Sequence, residues 1–437
     1  MTAPNGQSHV VIVGAGMAGL ACARRLADHK HVRVTLLDQH NYHQFQPLLY
    51  QVATCQLAPS DVAFQMRKLF REHPNVDVKR AEVAAVDPAT RTATVGDGEP
   101  YTGDALVVAT GSVPNFFRTP GAEEHAFPLY SLDHATRLRS RILAAFEDAD
   151  RDPSLLDQGA LNFVVVGGGP TGVELAGALA DMIRDTMTAE YRDLAVSAAR
   201  VHLVDLGHVL LSAFSETAHD YVAKVLQRKG VELHMGVRVT EVGAGHATLS
   251  DGTRIATRAV VWGGGIKSPP IGLVQGAGGR VDVLPDLTVD GAPGVYAVGD
   301  GANIPGPDDH HLPQLGSVAQ QSGRWAADNL LADFAGKQRK PFHYHDKGIM
   351  AMIGRGAAIA EVGAHRHELH GAIAHAAWLG VHASLMTGVR NRVEGFLDWG
   401  WDTFSSTRGP MVLDRADVAH IDWEEDRVPE PAAAGTP

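Results

Sequence analysis

Two glycine fingerprints of one kind constrain this chain more than anything else in it: Gly14-Ala15-Gly16-Met17-Ala18-Gly19 and Gly167-Gly168-Gly169-Pro170-Thr171-Gly172. Each follows a short apolar run, residues 9–13 or 163–166, and each opens a helical pattern such as Leu20-Ala21-Cys22-Ala23-Arg24-Arg25-Leu26. Strand, glycine loop and helix in that order make a dinucleotide cradle. The first glycine permits the tight turn, the second lets backbone reach a pyrophosphate, the third lets helix and strand pack closely, and the helix N-terminus faces the phosphate charge. One such loop holds one dinucleotide, so the chain is expected to hold two.

A carboxylate at the end of the next strand normally binds ribose hydroxyls. The first unit supplies Asp38, 19 residues past Gly19; the second supplies Asp205, 33 residues past Gly172, so a longer helix or an inserted turn has to fill the extra span. Asp205 would accept a hydrogen bond from a free 2′-hydroxyl and repel a 2′-phosphate, and no arginine stands immediately beside it, which favours NADH over NADPH. The competing reading makes Asp38 and Asp205 ordinary strand-end turn residues.

The 437 residues suggest two to three domains, and 45% apolar content is ordinary for a globular chain. A net charge of −12 argues against nucleic-acid binding, which relies on clustered Lys and Arg. Only Cys22 and Cys55 occur, in no C-x-x-C arrangement, so neither a cysteine zinc site nor a redox disulfide is expected, and no metal is assigned. Cys22 reads as a small core residue; Cys55 reads as structural, with a reactive thiol as the alternative. The polar residues 1–8 lead straight into the first strand, giving no secretory signal, and no uninterrupted apolar stretch is long enough to span a bilayer.

The first unit extends to an apolar strand ending Ala109-Thr110-Gly111-Ser112, and the second closes in the corresponding way at Trp262-Gly263-Gly264-Gly265. A further strand ends Val298-Gly299-Asp300, residues 312–334 read as a helix, and 350–353 and 358–362 read as strands of a third region. A stripe with three- and four-residue steps follows at Trp378, Val381, Leu385, Val389, Val393, Phe396 and Leu397. The residues from Asp414 on are acidic and are expected to be a disordered tail.

With these motifs in place the chain resembles type II NADH dehydrogenase, within the pyridine nucleotide-disulfide oxidoreductase-like superfamily. The residues that carry the likeness are Asn41-Tyr42-His43-Gln44-Phe45-Gln46-Pro47-Leu48-Leu49-Tyr50-Gln51-Val52-Ala53-Thr54, Gly172-Val173-Glu174-Leu175-Ala176, Asp346-Lys347-Gly348 with Ile353-Gly354-Arg355, and Val389-Arg390-Asn391-Arg392. The resemblance covers about residues 10–413. It implies an α/β fold with two Rossmann-like domains, for FAD and NADH, and a C-terminal α+β region ending in an amphipathic helix. The implied boundaries are 1–118 and 283–340 for a discontinuous FAD domain, 119–282 for the NADH domain, 341–413 for a membrane- or interface-associated region and 414–437 for the tail.

The resemblance also implies roles. Gly14, Gly16 and Gly19 would bind the FAD pyrophosphate and Asp38 its adenosine ribose; Thr110 and Gly111 would approach the cofactor closely, and Asp300 would bind its flavin side. Gly167, Gly169, Gly172 and Asp205 would bind NADH. Glu174 would be a proton or orientation partner where nicotinamide and flavin meet, Lys347 would stabilise the reduced flavin's negative charge, and Gln321 would orient the acceptor. The competing readings are a helix-start carboxylate favoured by the helix dipole for Glu174 and a solvated turn lysine for Lys347. One departure stands out: the family motif has two glutamines on the helix bordering the quinone pocket, and this chain reads Gly316-Ser317-Val318-Ala319-Gln320-Gln321, with Ser317 in place of the first.

The implied activity is oxidation of NADH through FAD with two-electron transfer to a quinone, by a cytoplasmic protein held at the membrane surface. Two alternatives remain at this stage: a soluble FAD-dependent NAD(P)H oxidoreductase acting on a small non-lipid substrate, suggested by Ser317, and an NADH-sensing interaction protein. The apolar stripe fits either a membrane surface or a second subunit of a homodimer.

Overall fold

The computed structural model describes residues 7–96, 100–307, 310–363, 365–405 and 407–425. They form two compact units. One collects the chain through Gln44 with Phe64–Val113 and Ile266–Lys347; the other collects Phe45–Ala63, Pro114–Gly265 and the chain from Gly348 on.

In the first unit five parallel strands pair in the order Val295–Ala297, Ala105–Val108, Ser8–Val13, Val32–Asp38 and Val76–Arg80. Val10, Val11, Ile12 and Val13 are all buried, as a strand covered on both faces requires, each side chain contributing roughly 1.5–3 kcal/mol on burial. An antiparallel meander of Val83–Asp87, Thr92–Val95 and Tyr101–Thr102 is inserted before the Ala105–Val108 strand.

The second unit repeats the plan. Its parallel strands run in the order Ala126–Pro128, Ala259–Trp262, Asn162–Val166, Arg200–Asp205 and Val231–Met235, and a meander of Val239–Val242, His246–Leu249 and Arg254–Ala256 precedes the Ala259–Trp262 strand. The extra span before Asp205 is accounted for: the helix Pro170–Asp181 winds on into a π-helix, Met182–Met187, and a short turn of α-helix, Thr188–Glu190.

This unit also contains an antiparallel sheet of Gly348–Gly354, Ala357–Val362 and His367–His370, followed by the helices Gly371–Leu385 and Val389–Phe404. The expected single stripe is therefore split. Gly388, at φ 91°, breaks the helix, a conformation that side chains rarely adopt. Trp378 lies wholly in the interior, whereas Val381, Leu385, Val389, Val393, Phe396 and Leu397 are exposed.

The compact units divide the chain differently from the expected boundaries. The segment 266–282 groups with the first unit, and both 45–63 and the chain from 348 on group with the second. The start of the expected disordered tail is folded: Asp414 accepts from Arg139 Nη2 at 2.6 Å and Ser140 Oγ at 3.2 Å, Ala416–Ala419 is helical, and Ile421 is buried against Ala144 and Ala145. The remainder, 426–437, lies outside the described residues.

Candidate active site

The two glycine loops have matching geometry. A Cβ on Gly19 would sit 1.8 Å from Gly14 O, and one on Gly172 would sit 1.8 Å from Gly167 O, so both third glycines are forced by backbone contact. Gly14 and Gly167 take φ 96° and 113°. Gly16 and Gly169, by contrast, face open space. Each is the N-cap of its helix, Met17–Ala27 or Pro170–Asp181, with no side-chain cap and no acid in the first turn. Other helices here differ: Ser131 and Ser215 cap theirs. Both loops thus leave free N–H groups and a positive dipole end facing open space, the arrangement an anionic pyrophosphate requires.

Asp38 and Asp205 make a contact that sequence spacing did not reveal. Asp38 accepts from the loop amide of Ala15 at 2.7 Å and from His40 N at 2.8 Å; Asp205 accepts from Gly168 N at 2.5 Å and Gly207 N at 2.6 Å. Each carboxylate therefore ties its glycine loop to the neighbouring strand end. Of about four lone-pair sites on a carboxylate, two remain for ribose hydroxyls. His43, buried and held neutral because burial pushes its pKa down, bonds through Nδ1 to Ala15 O at 2.8 Å and backs the first loop.

Thr110, Gly111 and Asp300 gather beside that loop within the first unit. The ideal Cβ position of Gly14 lies 3.3 Å from Thr110 Cα, that of Gly301 lies 3.1 Å from Gly111 O, and Ser112 Oγ donates to Asp300 Oδ2 at 3.4 Å. On the helix Gly316–Phe334 of the same unit, Gln321 bonds His345 at both ends: its Nε2 donates to His345 O and its Oε1 accepts from His345 N, each at 3.0 Å. Ser317 Oγ pairs with Tyr344 OH at 2.9 Å one turn earlier. Gln321 thus clamps the segment leading to Lys347, which is exposed. The departure at Ser317 has a structural partner in Tyr344.

Glu174 belongs to the second unit and stands in the second turn of its helix, beyond reach of the first-turn dipole argument. It is 7% exposed, and its Oε1 accepts from Met352 N at 3.1 Å. Burial pushes its pKa up to about 8; the Met352 N–H and, more weakly, the nearby Trp378 indole pull the other way. Gly177, one turn on, lets helix and strand meet: a Cβ there would lie 2.3 Å from Ile353 O.

The segment 45–63 supplies the other wall of this carboxyl's surroundings, a role the sequence did not disclose. Tyr50 is buried and its hydroxyl pKa is raised, first by burial and then by the charge of Glu174. Gln51 Nε2 donates to Tyr50 OH at 3.0 Å, and Trp399 Nε1 donates to Gln51 Oε1 at 2.8 Å. Asn391 Nδ2 donates to Ser60 O, Asp61 O and Ala63 O at 3.0, 2.9 and 3.2 Å. Trp378 stacks on His382 at 3.7 Å between centroids. Beneath the helix, Asp181 receives Lys229 Nζ at 2.7 and 2.9 Å and Arg355 N at 2.7 Å.

The profile of the pyridine nucleotide-disulphide oxidoreductase family matches residues 8–323. Two type II NADH:quinone oxidoreductases of Mycobacterium tuberculosis (strain ATCC 25618 / H37Rv), Ndh and NdhA, are 34% and 35% identical to this chain; both alignments cover 94% of it, and they cover 91% and 90% of those proteins. The chain belongs to the type II NADH:quinone oxidoreductase family. Its fold also matches a solved structure of NDH2 from Plasmodium falciparum with NADH, at TM-score 0.86 and 19% identity, covering 93% of this chain and 100% of that one. The fold likewise matches the Aquifex aeolicus sulfide:quinone oxidoreductase, at TM-score 0.70 and 17% identity over 92% of this chain and 96% of that one.

Within this type II family member neither cysteine has the setting of a reactive thiol. Cys22 and Cys55 are buried; burial pushes Cys55 up to about 11 and Cys22 higher still. No helix among the described residues is long and apolar enough to cross a membrane.

Proposed function

We propose that this chain oxidises NADH and reduces a quinone, in the balance NADH + H⁺ + quinone → NAD⁺ + quinol. The observation that carries this reading is the duplicated cradle: two uncapped helix starts, each facing open space across a glycine loop tied down by a strand-end aspartate. The residues of the first unit fit FAD. Gly14, Gly16 and Gly19 bring backbone to its pyrophosphate, Asp38 retains lone pairs for its ribose, and Thr110, Gly111 and Asp300 line its flavin end. FAD supplies two-electron carriage from nicotinamide to quinone. Gly167, Gly169, Gly172 and Asp205 bind NADH, and Asp205 favours a free 2′-hydroxyl.

The remaining roles fall to this chain's own side chains. Glu174, pushed up by burial to about 8, is largely protonated at pH 7 and supplies the proton the balance demands. Lys347 contributes positive charge, and Ser317 and Gln321 hold the segment that carries it; Gln321 is then a positioning residue and not the group that orients the acceptor. The exposed apolar side chains Val389, Val393, Phe396, Leu397 and Trp401 rest on the cytoplasmic membrane surface, where a lipid-borne quinone is reached.

Purified protein is expected to be yellow and to bleach on anaerobic addition of NADH. Steady-state rates with ubiquinone, menaquinone and oxygen then test the acceptor. If no quinone outruns oxygen, the quinone half fails while NADH oxidation stands. Flotation with anionic vesicles tests the surface; a vesicle-insensitive dimer that buries the same side chains would replace that part of the reading.

A further inference from the structure

Away from its glycine loop, the sheet of the second unit carries a cluster that the redox reading does not use. His202 stands on Arg200–Asp205, while Glu232 and His234 stand on Val231–Met235, where the parallel register pairs His202 with Glu232 and Val204 with His234. Residues two apart share one face of a strand, so Glu232 and His234 both reach toward His202. His202 Nδ1 lies 3.2 Å from His234 Nε2 and 3.2 Å from Glu232 Oε2, and the three atoms all lie within 4.8 Å of one another.

Protons alone satisfy this arrangement poorly. If His202 Nδ1 carries the proton, two acceptors compete for it; if it does not, its lone pair opposes that of the carboxylate. Three potential ligand atoms crowd together with no donor that serves them all. Tetrahedral coordination with metal–nitrogen bonds of about 2.0–2.1 Å separates neighbouring ligand atoms by roughly 3.3 Å, close to the two 3.2 Å separations about His202 Nδ1. Arg200 Nε stands 3.6 Å from the other carboxylate oxygen, Oε1, and its Nη1 donates to Ser197 O and Ala199 O at 2.8 and 2.9 Å, so the guanidinium steadies Glu232 from the side away from Oε2. Glu232 and Arg200 also line a cavity of about 610 Å³, which gives an ion and its water an approach.

We propose that His202 Nδ1, Glu232 Oε2 and His234 Nε2 bind one divalent transition ion of the zinc class, with water as fourth ligand. Two imidazoles and one carboxylate suit such an ion; calcium and magnesium prefer all-oxygen shells. The ion ties the edge strand Val231–Met235 to the strand that ends in Asp205. It takes no part in electron transfer, so the site stands or falls independently of the redox function.

The test uses the full-length holoprotein without a polyhistidine tag, stripped of metal. Zinc is titrated by calorimetry, and cobalt(II) serves as a coordination probe. Expected are one equivalent of zinc per chain, a tetrahedral cobalt spectrum displaced by zinc, and a zinc-dependent rise in melting temperature. Glu232→Gln and His234→Ala should each weaken binding by at least the roughly 10–100-fold that loss of an outer-shell partner costs. His365→Ala and His367→Ala, at an exposed histidine pair elsewhere, should change nothing. No zinc binding by the wild type, or binding unaltered in Glu232→Gln and His234→Ala, overturns the proposal. Glu232 is half-exposed, so its near-isosteric variant decides the matter even if a histidine variant fails to fold.

Discussion

Replacing Glu174 by Gln separates the size of this buried group from its charge. In the folded wild type, burial pushes the Glu174 carboxyl from its ordinary 4.5 up to about 8. Its folded value is raised, so the neutral form is favoured in the native protein. The stability it contributes is full below pH 4.5, declines as the pH rises from 4.5 to 8, and is constant above. At about 1.36 kcal/mol per pH unit, the whole swing is on the order of 5 kcal/mol, an upper bound because water and backbone relax around a buried charge. A glutamine keeps the shape and the acceptor for Met352 N but does not titrate. Urea midpoints of the two holoproteins, measured at pH 5, 6, 7, 8 and 9 at fixed FAD concentration, should therefore diverge: the variant gains on the wild type from pH 5 to 8, and the gap holds from 8 to 9. Quinone reductase rates should fall above pH 8 in the wild type and stay flat, and lower, in the variant. Parallel denaturation curves across the range would refute the account, since they would mean that Glu174 titrates like a solvated carboxyl.

Asp181→Ala leaves the Lys229 ammonium buried without its counter-ion and should cost about 3–5 kcal/mol in chemical denaturation; a loss under about 1 kcal/mol would show that water already solvates the pair. Gly177→Ala places a methyl against Ile353 O and should destabilise by about 1–3 kcal/mol, with the pH profile shifting to higher pH as the Glu174–Met352 contact, which holds the carboxyl pKa down, loosens; an unchanged midpoint would deny the close approach. Asp205→Ala removes two backbone hydrogen bonds to a carboxylate, each worth about 1.5–3 kcal/mol, and should raise the KM for NADH more than tenfold while flavin content stays full; equal loss of both would place Asp205 in the wrong cradle. Cys55 should resist alkylation at pH 8 until the protein unfolds, and rapid labelling of native protein would contradict its burial.

The glycine loops were legible because their constraint is local: Gly19 and Gly172 answer to a carbonyl five residues back. The plan of each sheet followed from them. What stayed hidden depends on contacts between distant segments. The tie from Asp38 to Ala15 needs the strand register, not the spacing, and the two-ended bond of Gln321 to His345 needs a loop folded back on the helix. Trp378 fell into an expected surface stripe because helical periodicity runs unbroken through Met386-Thr387-Gly388, where only the backbone angle of Gly388 reveals the break. Charge and proline near the C-terminus suggested disorder, yet Asp414, Ile421 and Trp423 find partners on the helix Leu132–Arg151 that composition does not disclose.

The π-helical stretch Met182–Met187 has a bearing on how this unit tolerates change. A wider turn absorbs an added residue where it occurs, so the helix upstream keeps its angular setting and downstream strands keep theirs. Insertions between Met187 and the buried Leu194 are accordingly expected to leave the burial of Glu174 as it is, and its titration would report any change. A protein engineer can therefore vary the crossover in length, or graft a peptide there, without moving the buried Glu174 carboxyl.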